Sequence, residues 1–166
     1  MPNWCSNTLL VSGDPERIKQ FIEEQKGVDY DHEGTPTGET ALTFENVVPM
    51  PEHLRGTKAP SDDGSMTWYD WSVENWGTKW DACYSQISHN PGENVVEYMF
   101  DTAWSPPVDW YEKVIEAYPD LDFTLDWEEG GMGFAGTLSG EKGIVGGIRE
   151  WNIVWDEDGE EYVPVP

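Results

Sequence analysis

Ten tryptophans, seven tyrosines and five phenylalanines in 166 residues decide how this chain can build an interior. Leu, Ile, Val and Phe together number only 32, which with a formal net charge of −24 would ordinarily mark disorder. Disordered chains are poor in aromatics, however, and each large ring buries roughly 150 to 250 Å². A few rings therefore replace many aliphatic side chains. The expectation is one folded domain with an aromatic core under an acidic skin.

The charge excludes several functions. Acids number 33 and bases 9. Proteins that grip a phosphate backbone do so with clustered Lys and Arg, so direct nucleic-acid binding over a broad surface is not expected, and an anionic membrane surface would repel the chain. No apolar run approaches the roughly 20 residues of a bilayer span, and no basic-then-apolar leader opens the sequence, so a cytoplasmic protein is expected. Residues 1–51 carry −6, residues 52–119 carry −8 and residues 120–166 carry −10, so the excess belongs to the whole fold and not to a tail.

Periodicity and punctuation set the elements. Cys5 to Ser12 reads as a strand closed by Gly13, and Asp14-Pro15-Glu16 as a helix start with Ile18, Phe21 and Ile22 on its buried face and Gly27 as its stop. Val28 to Thr40 reads as a loop, Ala41 to Val48 as a second strand, and His53 to Ser65 as a polar, mobile interior segment. Met66 to Trp76 fits a short helix or an extended run. Lys79 to Ser88 and Asn94 to Trp104 read as strands joined by His89-Asn90-Pro91-Gly92. Ser105-Pro106-Pro107 opens a helix that buries Trp110, Tyr111, Val114, Ile115 and Tyr118 and stops at Pro119. Phe123, Leu125 and Trp127 alternate with polar residues, Gly130-Gly131 turns the chain, and Met132, Phe134 and Leu138 mark the return strand. Ile148 to Asp156 and Glu160 to Val165 suggest a last hairpin about Asp158-Gly159. The sum is an α+β fold, an antiparallel sheet with two main helices on one face plus a C-terminal hairpin.

Four segments resemble one family. They are Asn3-Trp4-Cys5-Ser6-Asn7, the run Glu74-Asn75-Trp76-Gly77-Thr78-Lys79-Trp80-Asp81-Ala82, Phe100-Asp101-Thr102-Ala103-Trp104-Ser105-Pro106-Pro107, and Trp127-Glu128-Glu129-Gly130 with Gly136 beyond it. Together they resemble the YubB ferredoxin-like family of bacteriophages and conjugative plasmids, from about Asn3 to Gly143. The resemblance implies a ferredoxin-like plait over residues 1–143 and a mobile-element setting, and it implies no catalytic residue. Residues 144–166 depart from the pattern and are expected as a hairpin appended to the same domain.

The residues offer little conventional chemistry. Cys5 and Cys83 lie in apolar stretches and read as small buried hydrophobes, too few for a disulfide framework or a four-ligand zinc site. His32, His53 and His89 sit in expected loops, far apart. No phosphate-cradling or dinucleotide glycine loop occurs, and five acids around Gly159 lack the spacing of a calcium loop. No cofactor, metal or catalytic residue is expected.

Two binding readings follow. In the first, the chain is a non-enzymatic inhibitor carried by a mobile element. It presents Asp126, Glu128, Glu129, Asp156, Glu157, Asp158, Glu160 and Glu161 as a nucleic-acid mimic to a host protein with a basic groove. Salt adaptation or plain solubility would distribute acids in the same way. In the second, Asn75, Trp76, Lys79, Trp80 and Asp81 form an indole-lined pocket for a nucleotide or signal molecule.

Overall fold

The computed structural model describes residues 2–30, 35–88 and 92–165. Strand β1 (Trp4–Ser12) leads into helix α1 (Pro15–Gln25) through the expected cap: the Asp14 carboxylate accepts the Glu16 amide at 3.0 Å, and Pro15 opens the first turn. The helix stops at Lys26, which turns to extended backbone, and Gly27 enters the next strand.

Two expectations fail in this region. Residues 28–40 are not simply loop: β2 (Gly27–Tyr30) pairs antiparallel with β3 (Pro36–Thr40) as a separate, mostly exposed ribbon. Without a buried face, such a ribbon leaves no apolar alternation to read. Residues 41–48 are not a strand but an irregular segment around a 3-10 turn, Phe44–Asn46, with Leu42 and Phe44 buried. The Thr43 hydroxyl accepts the Glu45 amide, and the Asp81 carboxylate accepts the Phe44 amide at 2.6 Å. Thr43 offers the backbone a local partner and Asp81 a distant one, in place of a sheet ladder.

The ambiguous stretch resolves as helix α2 (Trp68–Trp76), opened by a reciprocal capping box between Thr67 and Asp70 and ended by Gly77 at φ 79°. Strands β4 (Cys83–Ile87) and β5 (Val95–Ala103) pair antiparallel; residues 89–91 of the connection expected between them lie outside the described residues, as does His32. Helix α3 (Val108–Ala117) follows Pro107, and β6 (Asp122–Glu129), β7 (Phe134–Glu141), β8 (Ile144–Asp156) and β9 (Glu161–Pro164) complete the chain.

Among the described residues, seven strands form one antiparallel sheet in the order β4-β5-β1-β6-β7-β8-β9. Residues 144–164 continue that sheet: β8 pairs with β7 from Ile144 to Asn152, and β9 with β8 beyond it. Tyr162 of β9 packs so closely on the β6–β7 turn that a Cβ at Gly130 would collide with its ring.

Cys5, Leu9 and Val11 of β1, with Tyr98, Phe100, Phe123, Leu125 and Trp127 of the flanking strands, join α1 and α3 in one core. Aromatic rings meet throughout it, mostly edge to face. Phe21 contacts Tyr98, Tyr118 and Phe123, while Phe44 contacts Trp76, Phe100 and Trp110. Such pairs contribute about 0.5–1.5 kcal/mol each beyond area burial.

Both cysteines are free, and burial pushes each thiol up to about 12. Since the thiolate is the reactive form, alkylation at mildly basic pH should be slow in the folded protein and fast in denaturant. Mass spectrometry after timed labelling checks this; rapid native modification of Cys83 would contradict it.

Candidate interaction face

Because side chains alternate along a strand, sending Cys5, Leu9 and Val11 toward the helices sends Ser6, Thr8 and Leu10 to the other side. The register carries that assignment across the sheet. Ser6 stands between Asp101 and Glu128, Thr8 between Met99 and Asp126, and Leu10 between Glu97 and Thr124. Beyond β6, Asp126 faces Thr137, which faces Arg149 on β8; Glu128 faces Ala135, which faces Trp151. The open face therefore holds carboxylates and hydroxyls interspersed with the exposed Leu10, Met99 and Trp151 and with Arg149, at strand spacing of about 4.8 Å between neighbouring strands and about 6.8 Å between alternate residues. The Ser6 hydroxyl donates to Asp101 at 3.0 Å, fixing one carboxylate in place.

The described ion pairs lie elsewhere. Arg17 pairs with Asp120, Lys19 with Glu16, Lys26 with Glu23, Arg55 with Glu45 and Glu52, Lys58 with Asp62, and Lys113 with Glu116. Among the described residues, Glu97, Asp101, Asp126 and Glu128 take part in none of them.

At the β4 end of this face stands an aromatic corner. Trp4 lies 6.2 Å from Trp80 and 5.8 Å from Tyr84, centroid to centroid, and the Lys79 ammonium sits 4.5 Å over the Trp80 ring. Tyr84 is 73 % exposed, at a register shift in β4 where its φ is 55°. A recess of about 290 Å³, lined in part by Asn3, Trp4, Ser6, Glu128 and Tyr162, adjoins the corner.

The structure sorts the residues chosen from sequence. Asp126 and Glu128 stand on the open face, and Glu157, Asp158, Glu160 and Glu161 are exposed around the β8–β9 turn. Asp156 is half-buried and accepts the Asp158 amide at 3.1 Å. Glu129 is a correction. It is only 1 % exposed, and its two oxygens accept the amides of Gly131 at 2.9 Å and Met132 at 2.6 Å, so it closes its own turn and cannot touch a partner.

The pocket set is also corrected, because its five members do not meet. Trp76 is buried with its indole N–H on the Val48 carbonyl at 2.9 Å. Asn75 donates to the Trp71 carbonyl within α2. Asp81 accepts from the Thr43 hydroxyl at 2.5 Å and the Phe44 and Ala82 amides at 2.6 and 2.7 Å, and burial, opposed by those bonds, pushes its carboxyl up to about 6. Only Lys79 and Trp80 reach the aromatic corner. Sequence reasoning missed Trp4 and Tyr84 as neighbours of Trp80; Trp4 stands on β1 and Tyr84 on β4, and only the fold brings them together.

The quoted motifs converge at this end of the sheet. Asn7, buried on β1, donates to the Thr102 hydroxyl at 2.9 Å; Thr102 donates to the Ser105 carbonyl at 2.7 Å, and Ser105 to the Gly77 carbonyl at 2.7 Å. Thr78 donates to the Ala103 carbonyl at 2.9 Å. These polar residues tie three segments together.

A family model described as the ferredoxin-like domain in Api92-like protein matches residues 75–162, more than half of the chain. The chain belongs to this family. The crystal structure of protein Api92 from Yersinia pseudotuberculosis superposes with a TM-score of 0.67 over 92 % of this chain and 99 % of that one, at 9 % identity, a likeness of fold. No curated protein matches the sequence. The Api92-like match extends through β8 into β9, so it includes most of the segment expected to be an appendage. No helix among the described residues is long and apolar enough to cross a membrane.

Proposed function

We propose that this Api92-like chain is a non-enzymatic binding protein that occupies the basic groove of a nucleic-acid-handling host protein, with the open sheet face as its contact surface. The observation that carries this reading is the set Asp101, Asp126 and Glu128: carboxylates held at strand spacing, outside the described ion pairs. Carboxylates on a sheet are ordered before binding, so less entropy is lost in docking than with acids on a flexible tail. The net charge of −24 would steer a cationic groove toward them. Trp4 and Tyr84 at the corner supply flat surfaces on which an arginine of the partner stacks. The exposed acids Glu157, Asp158, Glu160 and Glu161 form a second contact at the far hairpin. A YubB-like kinship, with its phage or plasmid setting, gives this binding its purpose: inhibition of a host defence or nucleic-acid-handling protein in the host cytoplasm.

The test is a titration against a panel of nucleases with basic grooves, with duplex DNA as competitor, at low and high salt. Binding should be competitive with DNA and should weaken at least about tenfold on raising salt from about 50 to 300 mM. The combined Asp101→Asn, Asp126→Asn, Glu128→Gln variant should lose at least about tenfold at low salt while keeping its circular dichroism spectrum. Affinity indifferent to both salt and the triple variant would overturn the reading.

A further inference from the structure

A second site lies away from the open face. A cleft of about 730 Å³, within the roughly 300–1,000 Å³ range of small-molecule sites, is bordered by Val28 and Tyr30 of β2, Met50, and Trp68 at the start of α2. Its charged lining comprises Glu45, Glu52, Asp81 and Arg55.

Which sign of ligand this lining accepts follows from the hydrogen bonds. Arg55 is already engaged: its Nη1 donates to Glu45 Oε1 at 3.0 Å, its Nη2 to Glu45 Oε2 at 2.8 Å and to the Met50 carbonyl at 2.9 Å, and its Nε lies 3.2 Å from Glu52 Oε2. Glu45 is equally committed, since Oε2 also accepts the Met50 amide at 2.9 Å. The fork therefore neutralises itself and pins the 3-10 segment; it offers an anion almost nothing. What is left is negative. Glu52 has a 94 % exposed side chain and one oxygen away from Arg55, while Asp81, on the same lining, is held by Thr43, Phe44 and Ala82. Tyr30, 58 % exposed, and the half-buried Trp68 add electron-rich ring faces.

We propose that this cleft binds a small organic ammonium ion with an apolar body, its charge placed against Tyr30, Trp68 and the Glu52 carboxylate. Ring quadrupole and carboxylate attract the head, Val28 and Met50 receive the methyl or methylene groups, and the spent guanidinium removes the usual competitor, an anion. The site is independent of the open face: it shares no residue with the carboxylate rows.

The experiment is a two-dimensional amide and indole NMR titration of the full chain at about 150 mM NaCl, using choline and benzyltrimethylammonium, with 3,3-dimethylbutanol as the uncharged isostere of choline. The Trp68 indole and the Val28 and Gly56 amides should shift in a saturable, one-site manner for the two cations, with a Kd at or below about 5 mM. Tyr30→Ala, at a 58 % exposed position, should weaken binding at least about fivefold while keeping the parent's circular dichroism spectrum, and Glu52→Gln about threefold. The open-face triple variant should bind the cations as the parent does. The inference is overturned if the isostere binds as tightly as choline, if no saturation occurs by about 20 mM, or if the open-face variant and not Tyr30→Ala loses the shifts. Tighter capture of a trimethyllysine peptide than of the free cations would overturn the small-ligand assignment and identify a protein side chain as the occupant.

Discussion

Trp76→Ala should destabilise the domain by about 4 kcal/mol, and Trp80→Ala by about 1 kcal/mol, although the two indoles stand four residues apart in one motif. Trp76 is 3 % exposed, with its ring edge-to-face against Phe44 and Trp71 at 5.8 and 5.3 Å. Truncation removes those contacts, leaves a cavity in a close-packed interior and strands the Val48 carbonyl. Against a total stability of about 5–15 kcal/mol, that is a large fraction. For a chain of this length the melting temperature should fall by roughly 10–15 °C. Trp80 touches Trp4 and carries Lys79 on its face while remaining partly exposed, so its removal costs surface contacts and little else. Thermal unfolding followed by circular dichroism checks the pair. Equal losses for the two variants would place Trp80 in the core and defeat the division drawn between them.

That division shows where the sequence was readable and where it was not. Local chemistry was legible: Asp14-Pro15 opens α1, Ser105-Pro106-Pro107 precedes α3, and the alternation of Phe123, Leu125 and Trp127 marks β6. The middle motif was not, because Gly77 at φ 79° turns the chain between its tryptophans and sends one inward and one to the surface. The Leu42–Phe44 segment looked like a strand because its true partner, the carboxylate of Asp81, is 37 residues away. Glu129 was misread for a different reason. It shares the parity of Leu125 and Trp127, which points inward, and the alternation already said so. The acidic rows of the open face arise from register alone: nothing in β1 or β6 taken separately says that Ser6 will lie between Asp101 and Glu128.

Asp81 leads to a second large effect, in pH. Its carboxyl is pushed up from 3.8 to about 6, chiefly because burial disfavours the anion more than the donors from Phe44, Thr43 and Ala82 favour it. A folded state that binds this proton more tightly than the unfolded chain loses stability as pH rises through the interval between the two values. Stability should therefore climb as pH falls from about 7.5 to about 5, with Asp81 alone contributing about 1.5 kcal/mol over that interval. Below about pH 4 the sign reverses. Asp63, Asp70 and Asp120 are held below the usual carboxylate range by hydrogen bonds from Ser65, Thr67 and Arg17, and what they contribute disappears as they protonate. Asp81→Asn isolates the buried group from the general relief of acidic repulsion. It keeps an oxygen for the two amides and turns an NH₂ toward the Thr43 hydroxyl, which accepts it. This variant should be more stable than the parent by about 2 kcal/mol at pH 7.5 and lose about 1.5 kcal/mol of that advantage by pH 5, read from urea unfolding at each pH. Parallel pH profiles for the two proteins would mean that Asp81 is ordinarily ionised in the fold, and that the acid-side gain belongs to the surface alone.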